Sequence, residues 1–250
     1  MKILIITVAG MSTRFSQSLN RDCLKCIYYK SDITESLLYQ MLHQNVYFDK
    51  YIIVGGYMYE QLEKVTYEEF SDYKDRIILV HNEKYAEYGS GYSVYKGLEA
   101  AVKLDFDEID FAEGDLFVDA ENYEKVCASN LNVITSNNEP ILASKSVAYY
   151  FDIKNTIHYI YSTEHSALRI EEPFLSIFNS GQIWKFVSSG ILKDVYEEME
   201  EKEWQGTNLV FIQKYFERLK SDEYEIIQFD KWINCNTVED FENYRIECDR

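Results

Sequence analysis

The chain has 250 residues, 46% of them hydrophobic, enough for one large domain with a full core. Its formal net charge of -18 leaves no basic face, which excludes a nucleic-acid partner and marks a well-solvated surface. Only two prolines occur, Pro140 and Pro173, and no Ser/Gly-rich tract separates the halves, so a single domain over residues 1–250 is expected.

Strand-like and helix-like runs alternate from the start. "KILIITV" reads as a buried strand, followed by the turn "AGMSTRF" and a helix. "TESLLYQMLHQ" places Leu37, Leu38, Met41 and Leu42 on one helical face. "KYIIVGG" is a strand, "MYEQLEKV" a helix, and "DRIILVHN" a strand ending at Asn82. "SVYKGLEAAVKL" is helical, "DEIDFAEGD" a strand that stops at an acidic corner, "ENYEKVCAS" a helix and "LNVITS" a strand. This β-α-β-α order implies a parallel sheet with helices on both faces. Ligands in such sheets sit beyond the C-terminal strand ends. That singles out four loops: residues 10–14, 55–57, 82–93 and 114–119.

Beyond Ser136 the pattern loosens. "SVAYYFD", "TIHYIYS" and "FLSIFN" read as strands of a mixed extension, "SGQIWKFVSS", "ILKDVYEEMEEKE" and "TNLVFIQKYFERLK" as helices, and "YEIIQFD" as a late strand. The last helix, "TVEDFENYRIE", has Thr237 as N-cap and Asp240 at its third position, a carboxylate variant of the capping box. The apolar run at the N-terminus follows no basic segment and precedes no small-residue cleavage pattern, and no run is long enough to span a bilayer. A cytoplasmic protein with no membrane partner is expected. Cys23 and Cys26 form a C-x-x-C, but two further ligands at zinc spacing are missing, so reduced thiols are expected.

Four segments carry chemistry. After the first strand, Gly10 suits close approach to a phosphate or φ > 0. The backbone around Ala9, Met11, Ser12 and Thr13 offers an anion-binding nest, and Arg14 adds a rigid cationic fork. Lys25 follows eleven residues later. In "AEGDLFVD" a strand ends at Asp115, where magnesium bound by one or two carboxylates and by phosphate oxygens would sit; Asp119 reads better as a helix cap. In "NEKYAEYGSGYSVYKGL", Gly89, Ser90, Tyr92 and Ser93, with Asn82 at the strand end, offer backbone that can reach the edge of a flat base. In "WINCNTVED", Asn234 and Asn236 share one side of an extended segment, and an amide oxygen binds magnesium more weakly than a carboxylate does.

Together these residues resemble the nucleotidyltransferases that make nucleotide-diphospho-sugars. Gly10, Ser12, Arg14 and Lys25 match the positions of a G-x-G-x-R signature followed by P-K. "EGD" at residues 113–115 resembles the magnesium aspartate, and "GSGYS" stands at the base-reading position. "NTVED" resembles the late D/N-T-x-E-D segment with the second metal ligand, and "FNSGQIWKF" the N-x-G-I-Y-x-F element near the acceptor phosphate. Three departures stand out: Ser12 for the second glycine, Leu24 for the proline before Lys25, and Asn236 where many members have aspartate. Asparagine also occurs there in the guanylyl-transferring branch that serves the molybdenum cofactor. The compact length and "EYGSGYS" are most similar to the phosphocholine cytidylyltransferase branch.

The resemblance implies a Rossmann-like three-layer α/β/α fold with a mostly parallel mixed sheet. Its nucleotide-binding half would span about 1–135 and its acceptor-binding half about 136–250. It further implies Mg2+ held by Asp115 and Asn236, and Arg14 and Lys25 as catalytic cations. The partners would be a nucleoside triphosphate, CTP favoured, and a small phosphorylated or phosphonate acceptor such as phosphocholine. A homodimer is left open. For the acceptor, Lys145 is a candidate phosphate partner, and Ser180 lies in the acceptor-side element. Tyr149, Tyr150, Tyr159, Tyr161, Trp184 and Trp204 are candidates for an aromatic cage. Glu164, Asp152 or Glu203 would pair with an ammonium group, and "WQGTN" reads as an acceptor loop. The alternatives are a sugar-1-phosphate nucleotidyltransferase using UTP, dTTP or GTP, a non-catalytic nucleotide-binding relative, and a metal-dependent glycosyltransferase. "EGDLF" argues against the last, because it lacks a second aspartate two residues on.

Overall fold

The computed structural model describes residues 1–44, 47–143, 146–161 and 166–248. In chain order the elements are β1 (Lys2–Val8), α1 (Thr13–Leu19), α2 (Leu37–Gln44), β2 (Lys50–Gly55), α3 (Tyr59–Glu69), β3 (Ile77–His81), α4 (Ser90–Ala101), β4 (Glu108–Glu113), β5 (Leu116–Val118) and α5 (Ala120–Ala128). They continue with β6 (Asn132–Asn137), β7 (Ala148–Asp152), β8 (Ile157–Ile160), β9 (Phe174–Phe186), α6 (Ser189–Glu198), α7 (Glu201–Trp204), α8 (Leu209–Phe216), β10 (Tyr224–Phe229), β11 (Trp232–Asn234) and α9 (Val238–Cys248).

The main sheet runs β10-β6-β9-β4-β1-β2-β3, with β7 and β8 added beside the first part of β9. Six strands of the seven-strand path point one way; β9 opposes them, pairing antiparallel with both β4 and β6. Alternate residues of each strand serve opposite faces. Ile3 and Ile5 join Val94, Leu98, Leu192 and Phe211 in one layer, while Leu4 and Ile6 join Leu38, Met41, Tyr123 and Val126 in the other. The parallel strands are covered on both sides, which is why they read as unbroken apolar runs. Gly97 lets α4 lie directly on β1: a Cβ there would come within 2.7 Å of Ile5.

Two assignments differ from the sequence reading. "SGQIWKF" is the second part of β9 rather than a helix, and every residue of β9 from Asn179 onward is buried. A strand wedged between two others and covered on both faces has no alternation to reveal it. "ILKDVYEEMEEKE" is broken into α6 and α7. The short pair β5 and β11 was not anticipated either, and it places the site: Asn234 lies opposite Leu116, and the Cys235 N–H donates to the Asp115 carbonyl at 2.8 Å. At α9 the expected cap is present. The Asp240 N–H donates to Thr237 Oγ1 at 3.2 Å, and the Thr237 N–H donates to Asp240 Oδ2 at 2.8 Å.

β9 carries an irregularity that matters for the site. Its register against β6 shifts between Ile134 and Ser136, and Gln182 takes φ 56° in mid-strand. Gly181 is required beside it, because a Cβ would stand 2.5 Å from Thr135 Oγ1. The Thr135 hydroxyl replaces a ladder partner, donating to the Ile183 carbonyl at 2.6 Å and accepting the Ile183 N–H at 3.2 Å. No helix among the described residues is long and apolar enough to cross a membrane.

Candidate functional site

A cleft of about 430 Å³ opens at the C-terminal edge of β1 and β4, where a sheet of this type presents its ligands. Its first wall is the loop after β1. Ser12 adopts φ 52° and ψ 29°, a left-handed conformation that glycine takes at no steric cost. Its hydroxyl accepts the Lys25 N–H at 3.3 Å and so ties the loop to the segment bearing the lysine. Gly10 is not left-handed; a Cβ there would meet nothing within 4 Å, so its small size leaves the cleft open. Among the described residues, the N–H groups of residues 11–14 have no protein acceptor. Below the loop, Phe15 is buried with Tyr28, Phe117, Cys235, Phe241 and Tyr244, a cluster that fixes α1 and α9 together.

On this base four polar side chains converge. Lys25 Nζ lies 2.6 Å from Asp115 Oδ2 and 3.3 Å from Asn236 Oδ1. Arg14 donates to Asn236 Oδ1 at 2.9 Å. Asn236 Nδ2 donates to Asn234 Oδ1 at 2.7 Å, so the two asparagines do share a side. Asp115 Oδ1 is enclosed and has no hydrogen-bond partner. Lys25 is committed by position: Leu24, standing where the resembled signature has proline, is buried in the core and carries the chain into the short 3-10 turn Lys25–Ile27.

The floor is a residue the sequence reading passed over. Glu113 ends β4 and receives Asn208 Nδ2–H on Oε1 at 2.8 Å and Gln182 Nε2–H on Oε2 at 2.9 Å. Burial, then the nearby Asp115 charge, push its carboxyl up to about 7. Asn208 is itself held by Ser90, whose hydroxyl donates to Asn208 Oδ1 at 3.2 Å and accepts the Asn208 N–H at 3.1 Å. Asn234 Nδ2 reaches Gln182 Oε1 at 3.4 Å. One polar chain therefore runs from Ser90 through Asn208, Glu113, Gln182 and Asn234 to Asn236.

Comparison with known proteins bears on this cleft. The family model described as "Domain of unknown function (DUF6564)" matches residues 21–247. The chain belongs to this family. The match begins after the loop at residues 10–14. No curated protein matches the chain. Among solved structures, the inositol-1-phosphate CTP transferase from T. maritima is similar at 17% identity and TM-score 0.67, covering 99% of this chain and 95% of that one. The CTP:phosphocholine cytidylyltransferase from Streptococcus pneumoniae is similar at 12% identity and TM-score 0.62, covering 99% of each chain. A putative glucose-1-phosphate thymidylyltransferase from Bacillus anthracis is similar at 11% identity and TM-score 0.68, covering 99% and 95%. At such identities the likeness establishes the fold. This DUF6564 chain shares with them a Rossmann-like fold built on a mostly parallel mixed sheet.

Around the other end of the cleft, the DUF6564 chain departs from the reading of "GSGYS". Gly89, Ser90, Ser93 and Asn82 line the cleft, as do Tyr85 and Tyr88, which sequence reasoning missed. The glycines serve packing: a Cβ on Gly89 would stand 2.3 Å from the Gly206 carbonyl oxygen, and one on Gly91 2.8 Å from that of Trp204. The Gly89 N–H is given to Gln205 at 2.8 Å, so it is not available to a base. Asn82 closes its own turn, accepting the Lys84 N–H at 2.9 Å and donating to Ser93 at 2.9 Å. Tyr92 does not line the cleft; its hydroxyl donates to Glu83 at 3.1 Å. Gly56 packs under Tyr85 and the Ala9 carbonyl, bracing the loop from outside.

The acceptor-side expectations need correction. Trp184 is fully buried, stacks on Phe111 at 5.3 Å and donates to Tyr159 at 2.6 Å. Trp204 is buried between Tyr95 and Phe211. Ser180 is buried and accepts the Gln182 N–H at 3.2 Å. Tyr150 is buried, with its hydroxyl on Glu172 at 2.9 Å. Tyr149 is buried too, so Tyr149, Trp184 and Trp204 belong to one core cluster instead of a cage, while Tyr150 packs against His158 and Phe174. Asp152 closes a turn on the N–H groups of Lys154 and Thr156, and Glu203 pairs with Lys214. Lys145 and Glu164 lie outside the described residues. The loop "WQGTN" does not line the cleft; its buried Asn208 supports two residues that do, Ser90 and Glu113.

Asp119 caps α5 by accepting the Asn122 N–H at 2.8 Å, which is its structural role. Cys23 and Cys26 are free thiols, and burial pushes Cys26 up to about 12. Among the described residues, no group of three or more His, Cys, Asp or Glu is placed to hold a metal without help. The donor set still fits magnesium, which takes one or two protein oxygens and completes its shell with substrate phosphates. The unpartnered Asp115 Oδ1 and the Asn236 amide oxygen are such a pair.

Proposed function

We propose that this DUF6564 chain is a magnesium-dependent nucleotidyltransferase that couples a nucleoside triphosphate, CTP favoured, to a small phosphorylated or phosphonate acceptor and releases pyrophosphate. The observation that carries the reading is the convergence of Arg14, Lys25, Asp115 and Asn236, linked by contacts of 2.6–3.3 Å, beside a loop whose N–H groups are free. CTP is favoured because two structural neighbours, from T. maritima and Streptococcus pneumoniae, are described as a CTP transferase and a cytidylyltransferase.

In this reaction an acceptor phosphate oxygen attacks the α-phosphorus in line. The new P–O bond forms as the bond to the bridging oxygen breaks, and pyrophosphate carries away the electron pair. The acceptor oxygen is already anionic near neutral pH, so no general base is needed, and catalysis rests on alignment and charge neutralisation. Arg14 and the loop N–H groups hold the departing β,γ-phosphates. Lys25 exchanges its Asp115 contact for the α-phosphate. Asp115 and Asn236 would hold the metal, which when bound neutralises phosphate charge.

The test is to incubate the protein with each of CTP, UTP, GTP and dTTP, magnesium and a panel of acceptor phosphates and phosphonates, and to measure pyrophosphate release. Acceptor-dependent release is expected, greatest with CTP, and Lys25→Ala should lower kcat more than it raises the KM for triphosphate. No release with any pair would contradict the reading, and turnover unaffected by Lys25→Ala would remove that residue from the mechanism.

A further inference from the structure

We propose that the acceptor carries an ammonium group with N–H donors, and that Glu113 is the specificity-determining residue that receives it. The proposal rests on the nucleotidyltransferase reading of the cleft and names its substrate class.

Glu113 is built as a recognition carboxylate. It lines the cleft two residues before Asp115, and each oxygen is fixed by one amide donor, from Asn208 and from Gln182. Those donors are neutral: they orient the carboxylate and leave its charge unmatched. Among the described residues no cationic side chain pairs with it, since Lys25 is on Asp115 and Arg14 is on Asn236. Lys25, whose charge reaches Glu113 from its place on Asp115, turns to the triphosphate in the reaction proposed above and is then no partner for Glu113. A carboxylate taken out of bulk water is costly unless paired, and an ammonium group brought in by the acceptor would supply that pair.

The kind of cation follows from the lining. A quaternary ammonium cannot donate hydrogen bonds and is normally received by aromatic faces. Here Trp184 and Trp204 are in the core. Of the rings on the cleft, Phe15 is buried and Tyr85 packs on Gly56. Tyr88 already has Lys84 Nζ 4.6 Å from its centroid. What remains is a fixed carboxylate whose free lone pairs suit an N–H-bearing ammonium. The acceptor class is therefore an aminoalkyl phosphate or phosphonate, or an amino-sugar phosphate.

The probes are three matched acceptors: 2-aminoethyl phosphate, its N-trimethyl form and 2-hydroxyethyl phosphate, with glucose 1-phosphate as a fourth. The readout is kcat/KM for pyrophosphate release with CTP and magnesium. The wild type should prefer the primary ammonium over the hydroxyl and over the trimethyl compound by at least about 10-fold, the scale of one charged hydrogen bond. Glu113→Gln should bring the ammonium-to-hydroxyl ratio to near 1. A wild-type preference for the trimethyl compound, the hydroxyl compound or glucose 1-phosphate overturns the proposal. So does a Glu113→Gln protein that keeps the ammonium preference. Should no acceptor support release, the transfer reading fails and calorimetric binding decides this one: binding of 2-aminoethyl phosphate at least tenfold tighter than the hydroxyl compound sustains it, and equal binding ends it.

Discussion

Gln182 joins the site to the fold through two independent properties, and two substitutions separate them. Its backbone is left-handed at φ 56° inside a buried strand, and its side chain donates to Glu113 at 2.9 Å and accepts from Asn234 at 3.4 Å. Gln182→Ala removes both side-chain bonds and keeps a Cβ in the left-handed region. Leaving Glu113 and Asn234 short of partners costs about 1–3 kcal/mol, the upper end applying where cleft water does not replace the lost bonds. Gln182→Gly loses the same bonds but releases the left-handed penalty of about 1 kcal/mol. The glycine variant should therefore be less stable than wild type yet about 1 kcal/mol more stable than the alanine variant. In a urea titration followed by far-ultraviolet circular dichroism, with a slope of about 3 kcal/mol/M, that is a midpoint difference of about 0.3 M. Both variants should lose pyrophosphate-releasing activity to a similar extent, because both leave Glu113 half-held. An alanine variant as stable as the glycine variant would refute the strain argument. A glycine variant with full activity would refute the role of the polar chain.

The same logic applies at Ser12, where the left-handed penalty and the bond to the Lys25 N–H are each about 1 kcal/mol: Ser12→Gly should stay within about 1 kcal/mol of wild type, and Ser12→Ala should fall about 1 kcal/mol below it. A loss above 2 kcal/mol in the glycine variant would contradict this. Asp110 is fully buried with neither oxygen hydrogen-bonded, and burial pushes its carboxyl from 3.8 up to about 8. The folded state therefore keeps a proton that the unfolded chain releases, so this group's contribution to stability declines as pH rises from about 4 to about 8, by roughly 1.4 kcal/mol per unit. Asp110→Asn should flatten that decline, so that its stability relative to wild type is higher at pH 8 than at pH 5. Parallel pH profiles of the two proteins would refute the assignment.

The parallel part of the sheet and the loops at its edge were legible because periodicity and chain order report them directly. Gly10, Arg14 and Asp115 could be named as candidates because each follows a parallel strand, whose order fixes the edge it reaches, whereas Lys25 and Asn236 took their roles from the resemblance of their motifs. What escaped was tertiary. "SGQIWKF" hid β9 because a strand buried on both faces has no alternation, and with it went Gln182. Asn208 and Glu113 meet across 95 residues, and no local pattern reports such a pairing. The acceptor-side aromatics were misplaced for the opposite reason: a tryptophan or tyrosine reads the same whether it lines a cage or fills a core. Lys185 shows how far packing overrides composition. Although charged it is 0% exposed, its ammonium held by the Val126 and Cys127 carbonyls at the end of α5 and by Glu108 at 3.2 Å.

The central claim is that Asp115, with Lys25 and Asn236 around it, makes this cleft a nucleotidyl-transfer site. The most direct measurement is magnesium-dependent pyrophosphate release from CTP with an aminoalkyl phosphate acceptor, comparing wild type with Asp115→Ala. The account expects release that requires both substrates and falls by at least about 100-fold in the variant, the scale of losing one electrostatic stabiliser of a transition state. Release that survives Asp115→Ala unchanged would contradict it.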